Sequence, residues 1–205
     1  MNILQISSSL FAGQGQSSQL AEQFVATLRR ANPGAQVVRR DLAADPVPHL
    51  TAERFQGFGL PAGERTLEQQ RAAELSDTLI DELRAADVIV LGLPMYNFGV
   101  PSTLKAWIDH VARAGQTFKY GAQGPVGLLT GKQAYVFATR GGAYAGTPLD
   151  TQSSYIRDFL RFVGIADVEM VYAEGLAMGD ERRNESLAQA ASRINALGGA
   201  QRAAA

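Results

Sequence analysis

Five short apolar runs, each followed by a segment of helical periodicity, constrain this chain more than any other feature. They span residues 2–7 (NILQIS), 35–42 (AQVVRRDL), 87–93 (DVIVLGL), 133–139 (QAYVFAT) and 167–173 (DVEMVYA). Each has strand length, and β-branched or aromatic residues dominate most of them. Leu20, Phe24, Val25 and Leu28 form a helical stripe after the first run, and Leu75, Leu79 and Leu83 form one after the second. Further stripes are Leu104, Trp107, Ile108 and Val111, then Ile156, Phe159, Leu160 and Val163, then Leu187, Ala190, Ala191, Ile194 and Leu197. Alternating strand and helix argues for parallel pairing, because parallel neighbours need a crossover and a right-handed βαβ unit supplies it. The expected fold class is α/β: an open, doubly wound, five-stranded parallel sheet of order 2-1-3-4-5 with helices on both faces. Its ligand crevice should open beside strands one and three, where the winding reverses.

A chain of 205 residues suits one domain, expected over 1–205, without internal repeat or linker. The terminal AQRAAA reads as a frayed tail. Lys and Arg total 19 against 20 Asp and Glu, so no broad field draws the protein to nucleic acid or an anionic membrane. The absence of cysteine removes disulfides, thiolate nucleophiles, iron–sulfur clusters and the common zinc sites. His49 and His110 are far apart and read as surface or helix-end residues, so no metal site is expected. Met1 leads into an apolar strand without a basic leader, and no segment has the ~18 uninterrupted apolar residues of a membrane span. A cytoplasmic protein is the expectation.

Three loops fall at the strand ends that border the crevice. Residues 7–18 (SSSLFAGQGQSS) lead into a helix, whose first N–H groups and positive dipole end suit a phosphate. The loop is not a Walker A motif, and Ser18 stands where a dinucleotide fingerprint needs its third glycine. It reads either as a neutral phosphate cup or as a Ser-rich turn with Ser17 as helix N-cap. Residues 93–110 (LPMYNFGVPSTLKAWIDH) place Met95, Tyr96, Asn97 and Phe98 between Pro94 and Pro101, the latter opening a helix with Ser102. The aromatic residues either plug the sheet end or make a shelf for a flat ring. Residues 139–148 (TRGGAYAGTP) put Gly141 and Gly142 where bare backbone can approach a ligand and offer two N–H groups. A terminal phosphate, a flexible linker and a flat ring with acceptors along one edge would satisfy all three loops. Flavin mononucleotide has those parts, and hydride transfer would then be the cofactor's chemistry. The long connections 45–65 and 113–132 exceed the minimal fold and read as functional or interfacial.

PMYNF after the third run, TRGG after the fourth, SSSLFAGQGQSSQL at the start, DLAADPVP after the second and ARAGQTFKY before the fourth occur together. In this combination the chain resembles the FMN-dependent NADH azoreductases, flavodoxin-like NAD(P)H:quinone oxidoreductases once labelled acyl-carrier-protein phosphodiesterases. The resemblance runs over residues 2–178. It implies two-electron, ping-pong reduction of quinones and cleavage of azo bonds to aromatic amines, with FMN bound non-covalently and NADH or NADPH as reductant. It implies that Ser9, Gly15, Gln16 and Ser17 hold the phosphate and that Met95, Tyr96, Asn97 and Phe98 line the ring. Thr139, Arg140, Gly141 and Gly142 would complete the ring site, with Tyr144 as a further donor. It also implies a homodimer with active sites at the interface, where Phe98, Phe118, Tyr120, Phe55 and Phe58 wall the substrate pocket. Apart from the resemblance, Phe118, Tyr120, Phe55 and Phe58 read as buried loop anchors.

Three positions depart from the family pattern: Gly15 for a common Ser, Tyr144 for a His of some relatives, and Gly59 near an Arg of others. An FMN reductase and a flavodoxin-type electron carrier are the alternative functions. A carrier is usually strongly acidic with an open ring edge, unlike this nearly neutral chain with its long connections. Phosphodiester hydrolysis finds no activated nucleophile or metal cluster, and DERRNE at residues 180–185 reads as a solvated helix start.

Overall fold

The computed structural model describes residues 1–203. Parallel strands β1 (Asn2–Ser7), β2 (Gln36–Asp41), β3 (Val88–Pro94), β6 (Gln133–Thr139) and β7 (Asp167–Ala173) form one sheet in the order β2-β1-β3-β6-β7. In terms of the five apolar runs this is 2-1-3-4-5, as expected from the alternation. Helices α1 (Gln16–Ala31) and α6 (Asp180–Ala203) cover one face; α3 (Leu67–Ala85), α4 (Ser102–Val111) and α5 (Thr151–Phe162) cover the other. Central strand β3, VIVLGLP, is buried along its whole length, as a strand covered on both faces must be.

The stripes become the two cores. Leu20, Phe24, Val25 and Leu28 of α1 meet Val90, Tyr135 and Phe137 of the sheet and Ile194 of α6. Leu79 and Leu83 of α3, Trp107 of α4 and Ile156 of α5 fill the opposite face. Gly92 lets α1 approach β3 closely, since a Cβ there would lie 3.0 Å from the Ser17 carbonyl oxygen.

Both long connections carry structure that the periodicity did not reveal. Residues 45–65 contain α2 (Ala52–Gly59), capped by Thr51, whose side chain accepts the Arg54 N–H. Residues 113–132 contain an antiparallel hairpin of β4 (Phe118–Gly121) and β5 (Gly124–Gly127). Helix α6 continues to Ala203, so the expected fraying does not begin at residue 200; Ala204 and Ala205 lie outside the described residues. His110 does lie in the last turn of α4, but it is fully buried rather than on the surface. No helix among the described residues is long and apolar enough to cross a membrane.

Candidate functional site

The connections after β1 and β3 leave in opposite directions, opening a crevice at their carboxyl ends. Two adjoining cavities of about 180 and 220 Å³ lie there and share Met95 and Gly141. The first is lined by residues including Ser9, Phe11, Gly15, Gln16, Pro94, Tyr96 and Thr139, the second by Asn97, Phe98, Gly142 and Tyr144. The structure thus brings the three loops to one cleft. Phe11, Pro94 and Leu176 also line it. Leu176 follows β7, and no local pattern singles it out.

Helix α1 supplies the polar end. Its N-cap is Gly15, without a side-chain cap, whereas Thr66 and Asp150 cap α3 and α5. Ser17 is therefore not the N-cap but the second helical residue. Among the described residues the N–H groups of Gln16, Ser17 and Ser18 carry no hydrogen bond, as at any open helix start. The Ser17 and Ser18 hydroxyl oxygens are buried without a partner. Unpaired buried hydroxyls beside open N–H groups suit a phosphate, which accepts from both. Gly15 does not add its N–H, which donates to the Ala12 carbonyl at 3.2 Å. Its φ of −66° does not require glycine. The requirement is steric: a Cβ at Gly15 would lie 2.1 Å from the Ser9 Oγ. Glycine at this position lets Ser9 keep its present place, since the Ser9 Cβ would also be only 2.6 Å from an added Cβ.

The middle of the cleft is a strained turn. Tyr96 N–H donates to the Gly99 carbonyl at 3.2 Å and Gly99 N–H to the Tyr96 carbonyl at 3.0 Å. Asn97 and Phe98 between them have φ of 48° and 63°, the sign a type I′ turn needs at both centres. For a residue such as Phe98 this backbone costs about 1–3 kcal/mol. Their N–H groups have no hydrogen bond among the described residues. Tyr96 links this turn to the first loop, its hydroxyl accepting the Leu10 N–H at 3.2 Å and standing 3.4 Å from the Ser9 Oγ. Met95 N–H donates to the Thr139 carbonyl at 2.9 Å, joining the turn to the third loop.

In that third loop the Arg140 guanidinium is fully buried and turned into an ion network. It donates to Asp150 at 2.7 Å, Glu174 at 3.0 Å and the Ser153 hydroxyl at 2.8 Å. The same Glu174 oxygen accepts the Tyr144 and Ala145 N–H groups at 2.8 and 2.9 Å. Burial would raise the Asp150 carboxyl, but the hydrogen bonds from Arg140 and Ser153, with the arginine charge, hold it below the usual carboxylate range. The network fixes the loop's path, and the Gly141 and Gly142 N–H groups stay without a partner among the described residues. The Tyr144 ring lies over Gly142, where a Cβ would come within 2.6 Å of it. It meets Phe98 edge to face at 5.5 Å between centroids.

Four of the expected pocket residues stand outside these cavities. The Phe58 ring packs against His110 at 6.0 Å and under the Arg113 guanidinium at 4.7 Å. Phe118 is buried against Phe162 at 4.4 Å. Phe55 and Tyr120 are exposed, at 64% and 78%.

A family model described as the flavodoxin-like fold matches residues 1–197. The chain is 58% identical over 179 residues to the FMN-dependent NADH:quinone oxidoreductase of Cellvibrio japonicus (strain Ueda107), covering 87% of this chain and 90% of that protein. It is 55% identical to the FMN-dependent NADH:quinone oxidoreductase of Alcanivorax borkumensis (strain ATCC 700651 / DSM 11573 / NCIMB 13689 / SK2), covering 95% and 98% of the two chains. The structure also resembles a crystal structure of an FMN-dependent NADH-azoreductase from Bacillus anthracis str. Ames Ancestor in complex with FMN. The TM-score is 0.88 at 25% identity, over 98% of both chains.

Proposed function

The chain belongs to the flavodoxin-like fold family, and from that premise we propose that it is an FMN-dependent NADH:quinone oxidoreductase that also cleaves azo bonds. The observation that carries this reading is the convergence of open N–H groups from three loops on one cleft with an aromatic wall. Bound there, FMN would supply two-electron chemistry between NADH or NADPH and a quinone; cleaving an azo bond to two amines takes four electrons, hence two such turnovers.

The N–H groups of Gln16 and Ser17, with the Ser9 and Ser17 hydroxyls, hold the phosphate, and Ser18 adds a donor. Gly15 leaves room for the Ser9 hydroxyl. Met95, Tyr96, Asn97 and Phe98 flank the isoalloxazine. Thr139 lines the cavity, and the open Gly141 and Gly142 N–H groups would meet the ring's polar edge, where donors favour the added charge of the reduced ring. Arg140 acts through its buried network, holding those glycines in place. Tyr144 and Phe98, in contact edge to face, border one end.

The reading extends to one flavin-binding domain over 1–205 that works in the cytoplasm as a homodimer. Exposed Tyr120 and Phe55, which do not line the two cavities of the cleft, support a pocket roofed by a second copy together with Phe118 and Phe58. A net charge of −1 disfavours the flavodoxin-type carrier.

The test is the visible spectrum of the purified protein, followed by anaerobic NADH. A yellow protein that bleaches in one two-electron step and is reoxidised by a quinone is expected. A colourless protein that takes up no FMN overturns the reading, and a persistent radical signal on reduction points to the carrier instead.

A further inference from the structure

We infer that Gln152 is a positioning residue for the ring-binding turn, clamping residues 94–99 from the first turn of α5; this rests on the FMN reading above. Asparagine tolerates the left-handed region that Asn97 occupies, but phenylalanine at φ 63° does not favour it. A turn opposed by its own residues persists only where its surroundings over-determine it. Here three carbonyls of the segment take donors from two consecutive residues. Gln152 Nε2 donates to the Pro94 carbonyl at 2.8 Å and the Gly99 carbonyl at 3.2 Å. The Thr151 hydroxyl donates to the Phe98 carbonyl. One side chain therefore grips both ends of the strained segment while its neighbour grips the middle.

Gln152 is fully buried, and two facing carbonyls orient its amide with the NH2 toward the turn. Its Oε1 is left without a partner among the described residues. An apolar residue of the same length would avoid that buried, unpaired oxygen. The glutamine is accounted for by the two carbonyls it holds, not by packing. The same helical turn also carries Asp150 and Ser153, which bind Arg140 and so anchor the Gly141–Gly142 loop. The first turn of α5 thus sets both ring-facing loops against one another.

The clamp is tested with Gln152→Met, which removes the donors at nearly constant volume, and with Thr151→Val at an exposed position. Each is titrated with FMN, and each holoprotein's midpoint potential is measured. Gln152→Met should weaken FMN binding about tenfold and shift the potential, the loss expected when a buried hydrogen-bond donor is removed; Thr151→Val should act in the same direction by about threefold. In a Phe98→Gly background the turn no longer resists its own geometry, so the Gln152→Met penalty should shrink below about twofold. Hydrogen exchange in the flavin-free protein should show the Gly99 amide losing protection in Gln152→Met while the global Tm is kept. Unchanged affinity and potential in Gln152→Met, or an equal penalty with and without Phe98→Gly, overturns the clamp. If Gln152→Met does not fold, an unaltered FMN affinity in Thr151→Val overturns it. Wild-type protein that takes up no FMN overturns the flavin reading instead, and the Gly99 exchange then still decides whether the clamp exists.

Discussion

Asn97 is the residue at which a single charge should act most directly on a bound ring. Asn97→Asp keeps the turn, since aspartate also tolerates a positive φ, and adds a carboxylate at the cavity wall. At an effective dielectric near 20 it should disfavour the reduced ring by about 1–3 kcal/mol, lowering both FMN affinity and midpoint potential. Unaltered values of both would make Asn97 a turn residue only. His110 makes a second prediction far from the cleft. Burial pushes its pKa below the ordinary 6.5; the hydrogen bond to the Ala106 carbonyl opposes this, and the Arg54 and Arg113 charges add to it. Its Nε2 has no partner among the described residues. The folded state therefore favours the neutral ring, while the unfolded chain takes up a proton near 6.5. That contribution to stability is complete above 6.5 and is lost as the pH falls through the window beneath it. Between pH 7.5 and 5.5 the Tm of the wild type should fall more steeply than that of His110→Gln. The same slope in both proteins would show that His110 titrates normally.

The elements missed in the sequence are those whose stability comes from docking. Helix α2 has eight residues, too few for a repeated stripe, and buries only Gly57, against Gln69 of α3. The β4–β5 hairpin has strands of four residues each, FKYG and GPVG, too few to display the sustained alternation of a half-buried strand. It holds because Gly127 lies directly on Gly164, at the bend between α5 and β7, with the Leu129 N–H donating to the Val163 carbonyl at 2.8 Å. A Cβ at Gly127 would fall 2.1 Å from the Gly164 nitrogen, and backbone cannot yield as a side-chain tip can. Gly127→Val should lift the hairpin and destabilise the protein by about 1–3 kcal/mol, measured by urea unfolding. The long helices were legible for the opposite reason, because each repeats its apolar face over several turns. Helix α1 shows this: Leu20, Phe24, Val25 and Leu28 are all buried where the spacing predicts.

For the whole molecule, exposed Phe55 and Tyr120 lie on the two connections that exceed the minimal fold. Sedimentation should give twice the chain mass, and Tyr120→Lys combined with Phe55→Lys should shift it toward the monomer and lower quinone reduction more than FMN affinity. A wild-type monomer with full activity would remove the second copy from the pocket. The sequence by itself determined the order of the sheet, the two covered faces and the three loops that meet at the crevice. Those follow from local periodicity and the handedness of the crossover, which act within one βαβ unit. Only the tertiary structure decided that Arg140 turns into a buried network, that Gly15 makes room for Ser9, and that His110 is enclosed. It also decided that Phe98 sits at a positive φ and that Gln152 reaches the Pro94 carbonyl, 58 residues away. Each depends on groups far apart in the chain, whose meeting is set by packing rather than by spacing. PMYNF marks the turn in the sequence, and the start of α5 braces it.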